Sequence, residues 1–345
     1  MGIMWKNISS VNKRQHNARK LFIVSSLLIA LTLNILLIPV VASTETGTFC
    51  CDCPDYSSPQ ATDAWLKMRA QLCNNMGELK SNSSDKAATQ ANEPKEEAYP
   101  RQELLTSPES KLDKFAILDT RPPGQYASGH IPGARNLYWK SLEPDGMLDP
   151  AAAENALCKL GINNSDSILI YGSSGDDSSV YSVFWALSYL GHKNLSTLYG
   201  GIDSAIKAGI KLDRSMAAIE RSNYTIHLVP WLLVNESTLP KWLEYSSLYI
   251  LDARDWVDYG KSRLTGASLP LDVTLLYDNE NNIKDAATIK DILDRHGLVK
   301  NRIQMAYGTP QAYSLFFILR LMDYNATLLE GDWWQNTKWA SNSVN

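Results

Sequence analysis

The chain has 345 residues, 44% hydrophobic and 20% charged, with a formal net charge of −4. That length is too great for one small domain and suits two of ordinary size. The slight acidity, and the lack of a basic run beyond the N-terminal segment, exclude a nucleic-acid surface, which needs a concentrated positive patch.

Residues 1–20 form a basic leader with Lys6, Lys13, Arg14, Arg19 and Lys20. Residues 21–42 are uncharged and mostly apolar, with Asn34 and Pro39 as interruptions. About twenty apolar residues can cross a bilayer as a helix. The basic flank comes first, so the rest of the chain is expected outside the cytoplasm. Val40-Val41-Ala42 reads as a small-residue cleavage site, so a cleaved signal sequence competes with a transmembrane anchor. The apolar stretch is longer than a usual signal core, which favours the anchor and makes the membrane a partner. Six sequons follow, at Asn82, Asn163, Asn194, Asn223, Asn235 and Asn325, and they fit an exterior location.

Residues 43–104 read as a stalk and flexible linker. Four of the five cysteines lie here: Cys50, Cys51, Cys53 and Cys73. An oxidising exterior favours disulfides among them, with three pairings open. A metal site is disfavoured, because the C-C-x-C spacing lacks paired C-x-x-C knuckles. A redox or sulfur-relay thiol remains open, as does lipidation. Trp65, Met68, Leu72, Met76 and Leu79 recur at helical steps and predict a short amphipathic helix. Ser81 to Ser110 is polar and predicts a linker.

Beyond it, apolar runs alternate with helical stretches. Phe115–Leu118 and Ser167–Tyr171 read as buried strands, and Pro150–Leu160, Ser178–Leu190 and Ile202–Ala208 as helices. Such alternation predicts an α/β fold, a parallel sheet with helices on both faces. The pattern then repeats. Ile117-Leu118-Asp119-Thr120-Arg121 is echoed by Ile250-Leu251-Asp252-Ala253-Arg254, 133 residues on. Tyr171-Gly172 is echoed by Tyr307-Gly308, and the Thr197–Gly201 turn by Thr327–Gly331. Three matches in the same order imply a duplicated domain, placed at residues 105–215 and 222–343.

The run ILDTRPPGQYASGHIPGARN at 117–136 resembles the N-terminal signature of rhodanese domains. The Leu-Tyr-Gly-Gly-Ile at 198–202 resembles that family's closing turn, and ILDARDWVDYGKSRLTGAS at 250–268 is a weaker second copy with Arg263 where His130 stands in the first. The tandem layout is similar to thiosulfate and mercaptopyruvate sulfurtransferases. The resemblance implies an active loop that follows a central strand and opens a helix, with a cysteine at its start carrying sulfur as a persulfide. Loop N–H groups and the helix N-terminus would stabilise that anion.

Neither loop of this chain has that cysteine. The first reads Gly172, Ser173, Ser174, Gly175, Asp176, Asp177; the second reads Gly308, Thr309, Pro310, Gln311, Ala312, Tyr313. Asp176 and Asp177 would repel an anion, and Pro310 removes an N–H from the cradle. Ser173, Ser174 and Thr309 are hydroxyls with no adjacent base, so the Ser and Asp residues read as helix caps. No catalytic residue is assigned.

His130 is expected to stabilise its loop. The Asp119/Arg121 and Asp252/Arg254 pairs are expected to be structural, although all five residues could line a binding pocket at the strand ends. Cys158, in an apolar helical setting, reads as an inert buried thiol. Trp333, Trp334 and Trp339 are expected to pack the C-terminal segment onto its sheet. No cofactor and no metal are expected. The expectation is a non-catalytic binding module on the extracytoplasmic side of a membrane, meeting a partner protein or a small anion. Two alternatives stand beside it: a sulfurtransferase using a cysteine outside the loops, and a structural envelope protein.

Overall fold

The computed structural model describes residues 98–342, apart from Ala217 and Ala267. The basic leader, the apolar segment, the amphipathic helix, Asn82 and the four cysteines Cys50, Cys51, Cys53 and Cys73 lie outside the described residues. Among the described residues, no helix is long and apolar enough to cross a membrane.

Two five-stranded parallel sheets account for the described chain. The first contains β1 (Leu105–Thr106), β2 (Ala116–Asp119), β3 (Arg135–Asn136), β4 (Ile168–Tyr171) and β5 (Leu195–Leu198) in the order β1-β5-β4-β2-β3. Its helices are α1 (Pro123–Ser128), α2 (Pro150–Lys159), α3 (Ser178–Tyr189) and α4 (Gly201–Lys207). The second repeats this order with β6 (Leu233–Val234), β7 (Leu248–Asp252), β9 (Ser268–Pro270), β10 (Ile303–Tyr307) and β11 (Asn325–Leu329), arranged β6-β11-β10-β7-β9. Its helices are α5 (Leu239–Trp242), α6 (Trp256–Lys261), α7 (Ala286–Arg295) and α8 (Gln311–Leu321). A short antiparallel pair, β8 (Ser262–Leu264) with β12 (Ala340–Asn342), closes the C-terminal segment against the second sheet's side.

The central strands β4 and β10 are buried along nearly their whole length, which is why they read as unbroken apolar runs. Register carries the sequence repeat into space: Asp119 lies beside Tyr171, and Asp252 beside Tyr307. The elements begin or end within a residue of their expected positions. Strand β2, for example, starts at Ala116 because Phe115 closes a turn onto Leu112 O.

The helices α3 and α8 open from the central strands and pack on each other. Each is apolar nearly all round, since one side covers its own sheet and the other meets its counterpart. Phe317 stacks on Tyr181 at 4.8 Å and meets Phe184 edge-on at 4.9 Å. Trp185 donates to Leu232 O at 2.9 Å. One hydrophobic core therefore runs through both halves.

The end of the expected linker is ordered structure. Leu104 is buried, Arg101 N–H donates to Leu321 O at 3.0 Å, and Tyr99 Oη donates to Lys284 O at 2.7 Å. These residues strap the first half onto the second. Their polar neighbours Arg101, Gln102 and Glu103 made the segment look like linker.

Candidate functional site

The site is built at the carboxyl ends of β2 and β4 in the first half, and of β7 and β10 in the second. Asp119 has no exposed surface, and Arg121 holds it bidentately, with Nε 3.0 Å from Oδ1 and Nη2 2.6 Å from Oδ2. Tyr171 Oη donates to the same carboxylate at 2.6 Å and accepts from Ile131 N–H at 3.1 Å. Arg121 also donates to Gly129 O at 2.9 Å. The second half repeats the set: Arg254 meets Asp252 at 2.9 and 2.6 Å and donates to Ser262 O, while Tyr307 Oη accepts from Leu264 N–H at 3.2 Å. Both tyrosine hydroxyls are pushed far above their ordinary pKa, first by burial and then by the adjacent aspartate. These ion pairs fix the loop after α1 and the β8 segment after α6.

His130 is buried, stacked on Tyr126 at 4.0 Å, with Nδ1 3.0 Å from Tyr126 O and Nε2 3.2 Å from Ser215 O. It pins the passage between the two halves. Arg263, its counterpart, lies over Tyr259 at 5.4 Å. Of the five residues that could line a pocket (Asp119, Arg121, His130, Asp252, Arg254), each is buried and held by neighbouring groups. Cys158 is buried too, with Sγ 3.6 Å from Tyr224 O.

The loop between β4 and α3 is folded around its own anion. Asp177 caps α3: Oδ1 accepts from Ser179 N–H at 3.0 Å, and Oδ2 accepts from Ser173 N–H at 2.8 Å. A carboxylate therefore occupies the cradle that loop and helix N–H groups make. A β-carbon on Gly172 would lie 2.3 Å from Asp177 Oδ2 and 2.7 Å from Val180 Cγ2. A side chain at the start of this loop would have to displace the Asp177 carboxylate. Asp176 takes Ser174 Oγ–H at 2.5 Å.

The loop from β10 to α8 is closed differently. Gly308 has φ +85°, a left-handed conformation, and a β-carbon there would lie 2.7 Å from Arg254 Cγ. The Thr309–Pro310 peptide is cis. Tyr313 Oη donates to Glu143 Oε1 at 3.3 Å, and Glu330 Oε1 accepts from Leu148 N–H at 2.6 Å.

Each loop is thus covered by a segment of the other half. Residues 143–149 of the first half lie over the second loop. Asn281 and Asn282 of the second press on the first, where a β-carbon on Gly175 would sit 2.5 Å from Asn281 O. What remains open at the first loop is a cavity of about 260 Å³ lined by Ser174, Asp203, Lys207, Glu280 and Asn282. Glu143, Leu148, Asn282 and Glu330 escaped the sequence reading. For Glu143 and Asn282 the available signal was two turn-forming runs, Glu143-Pro144-Asp145-Gly146 and Asp278–Asn282, standing close to the repeat's own offset, and Glu330 lies in the repeated Thr327–Gly331 turn.

Burial pushes Glu330 up to about 7, with nearby Glu143 adding to the rise. Glu143 is itself raised by burial, against the hydrogen bond from Tyr313. A carboxyl raised on folding stabilises the fold below its unfolded value, and that stability is lost as pH rises through the folded value. Unfolding free energy should therefore fall between pH 4.5 and about 7 through this group. Glu330→Gln keeps an acceptor for Leu148 N–H and removes the titration. At pH 8 the variant should be more stable than the parent by on the order of 3 kcal/mol, a gap that closes at pH 4. Urea unfolding at both pH values reads it, and an equal gap at both would refute the assignment.

Residues 102–208 match the family model described as the rhodanese-like domain. The sulfur carrier protein TtuD of Thermus thermophilus is 28% identical over 105 residues, 29% of this chain and 36% of that protein. Thiosulfate sulfurtransferase of Pseudomonas aeruginosa is 23% identical over 209 residues, 57% of this chain and 77% of the enzyme. The chain spans 36% and 37% of the length of TtuD and of a putative thiosulfate sulfurtransferase from Synechococcus elongatus. In fold, it superposes on the 3-mercaptopyruvate sulfotransferase SseA of Escherichia coli with a TM-score of 0.59 and 19% identity, covering 67% of this chain and 98% of SseA. A complex of EanB with ergothioneine gives a TM-score of 0.64 at 16% identity, over 78% of each chain. Residues 102–208 thus form a rhodanese-like domain, and the chain has thiosulfate sulfurtransferases among its relatives.

Proposed function

We propose that this chain is a non-catalytic rhodanese-like binding module, held on the outer side of a membrane by its N-terminal apolar segment. One observation carries the reading: the Asp177 carboxylate fills the anion cradle of the first loop, beside a glycine that offers no nucleophile. The second loop likewise begins with a glycine, Gly308, packed on the Arg254 side chain with a left-handed backbone. Cys158, the one cysteine among the described residues, is buried and points at a backbone carbonyl. The module meets a partner protein or a small anion at the loops, and a small anion entering the first cradle must displace Asp177. The basic leader and the apolar stretch 21–42 support the membrane location.

A second reading is a sulfurtransferase, favoured by the relatives that carry that activity. Its sulfur carrier would be Cys50, Cys51, Cys53 or Cys73.

The experiment is thiol mapping. The full chain is incubated with thiosulfate or 3-mercaptopyruvate, alkylated and analysed by peptide mass. Every cysteine unmodified is the expected result. A persulfide on any of the four N-terminal cysteines would overturn the non-catalytic reading in favour of the second. A further outcome concerns the cradle. Asp177→Ala should lower stability by about 0.5–2 kcal/mol through the lost cap. The variant should also gain thermal protection from sulfate that the parent lacks. Equal sulfate protection in both would mean that Asp177 does not hold the cradle.

A further inference from the structure

Five of the six sequons that follow the apolar segment fall in the described residues, and the fold sorts them. Asn163, Asn194, Asn223 and Asn325 are exposed, and none of their side-chain amides makes a hydrogen bond among the described residues. Asn235 differs. It is half-buried, and its Oδ1 accepts from Ser237 N–H and Thr238 N–H at 3.1 Å each, folding the side chain into its own turn.

The four open asparagines share a location in their sheets. Asn194 directly precedes β5, and its carbonyl accepts from Ile168 N–H at the start of β4, at 2.8 Å. Asn163 lies in the turn that leads into β4. Asn223 lies beside it, because Asn164 and Thr225 hydrogen-bond to each other at 2.7 and 3.0 Å. Asn325 is the first residue of β11 and pairs with Ile303 at the start of β10. All four thus stand at the amino ends of parallel strands. The two loops and their covering segments stand at the carboxyl ends, a strand length of roughly 15 Å away at ~3.3 Å per residue.

We infer that Asn163, Asn194, Asn223 and Asn325 are N-glycosylation sites, and that the glycans coat the amino-end faces while the carboxyl-end mouths stay bare. In this modification the Asn Nδ2 forms a bond to the anomeric carbon of a saccharide carried on a polyprenyl phosphate or pyrophosphate. The bond from that carbon to the phosphate oxygen breaks, the lipid phosphate leaves, and the amide proton passes to base. A sequon at an exposed turn accepts such a bulky, hydrated group without displacing packed residues. The arrangement fits a module that presents its strand-end loops to a partner. It rests on the extracytoplasmic location proposed above.

The test joins two measurements on the full chain from its native cells. Protease added to intact cells reports location, and glycopeptide mass mapping reports occupancy. The expected result is a protease-accessible chain with saccharide mass on these four asparagines and none on Asn235. An accessible chain bare at all four would overturn the inference while leaving the location standing. A chain protected from protease and bare would overturn both. Saccharide on Asn235 with the four bare would overturn the sorting by exposure.

Discussion

Asp252→Ala should destabilise the fold by about 3–5 kcal/mol, because Arg254 is left charged and buried without its partner. Asp252 has no exposed surface, and Arg254 has 7%. Arg254 would keep its bond to Ser262 O but lose both carboxylate contacts, and Tyr307 would lose the anion beside its hydroxyl. Guanidinium unfolding measures the loss as a shift in midpoint at constant slope. A double variant, Asp252→Leu with Arg254→Met, should recover part of it, since a buried pair replaced by apolar groups is often near neutral. A single variant within about 1 kcal/mol of the parent would mean that water reaches Arg254, against its burial.

The second large effect lies at the junction of the halves. Phe317 is fully buried between Tyr181 and Phe184. Truncating it to alanine should lower stability by about 3–5 kcal/mol, combining lost transfer energy with a cavity that the flanking rings cannot fill. Because one core serves both sheets, the parent should unfold in a single transition. Phe317→Ala should separate the near-ultraviolet and far-ultraviolet signals as the halves uncouple. Coincident transitions in the variant would instead mean that the remaining contacts of α3 and α8, with the Tyr99–Leu104 strap, suffice for coupling.

Much of this architecture is legible in the sequence because it is local or repeated. Asp119-Thr120-Arg121 and Asp252-Ala253-Arg254 mark two strand ends, and the Tyr171-Gly172 and Tyr307-Gly308 echoes mark their neighbours in register. Burial of Trp334 against Tyr307, with ring centroids 5.1 Å apart, follows from the apolar character of the C-terminal segment. What the sequence hides depends on how the halves dock. Glu143 is an ordinary acidic turn residue until Tyr313 of the other half meets it. Glu330 stands where the repeat has Gly200, and only the neighbouring Leu148 N–H explains its burial. Asp177 reads as a helix cap, which it is. That its second oxygen also takes Ser173 N–H, and so fills the cradle, needs the folded loop.

The most direct measurement is sulfur transfer from thiosulfate to cyanide by the full chain, run beside a variant with Cys50, Cys51, Cys53 and Cys73 changed to serine. Loops that begin at Gly172 and Gly308, and so carry no thiol, predict thiocyanate at the uncatalysed rate from both proteins. Turnover in the parent, whether or not the serine variant retains it, would contradict the account. Loss in the variant would make the N-terminal cysteines the sulfur carriers.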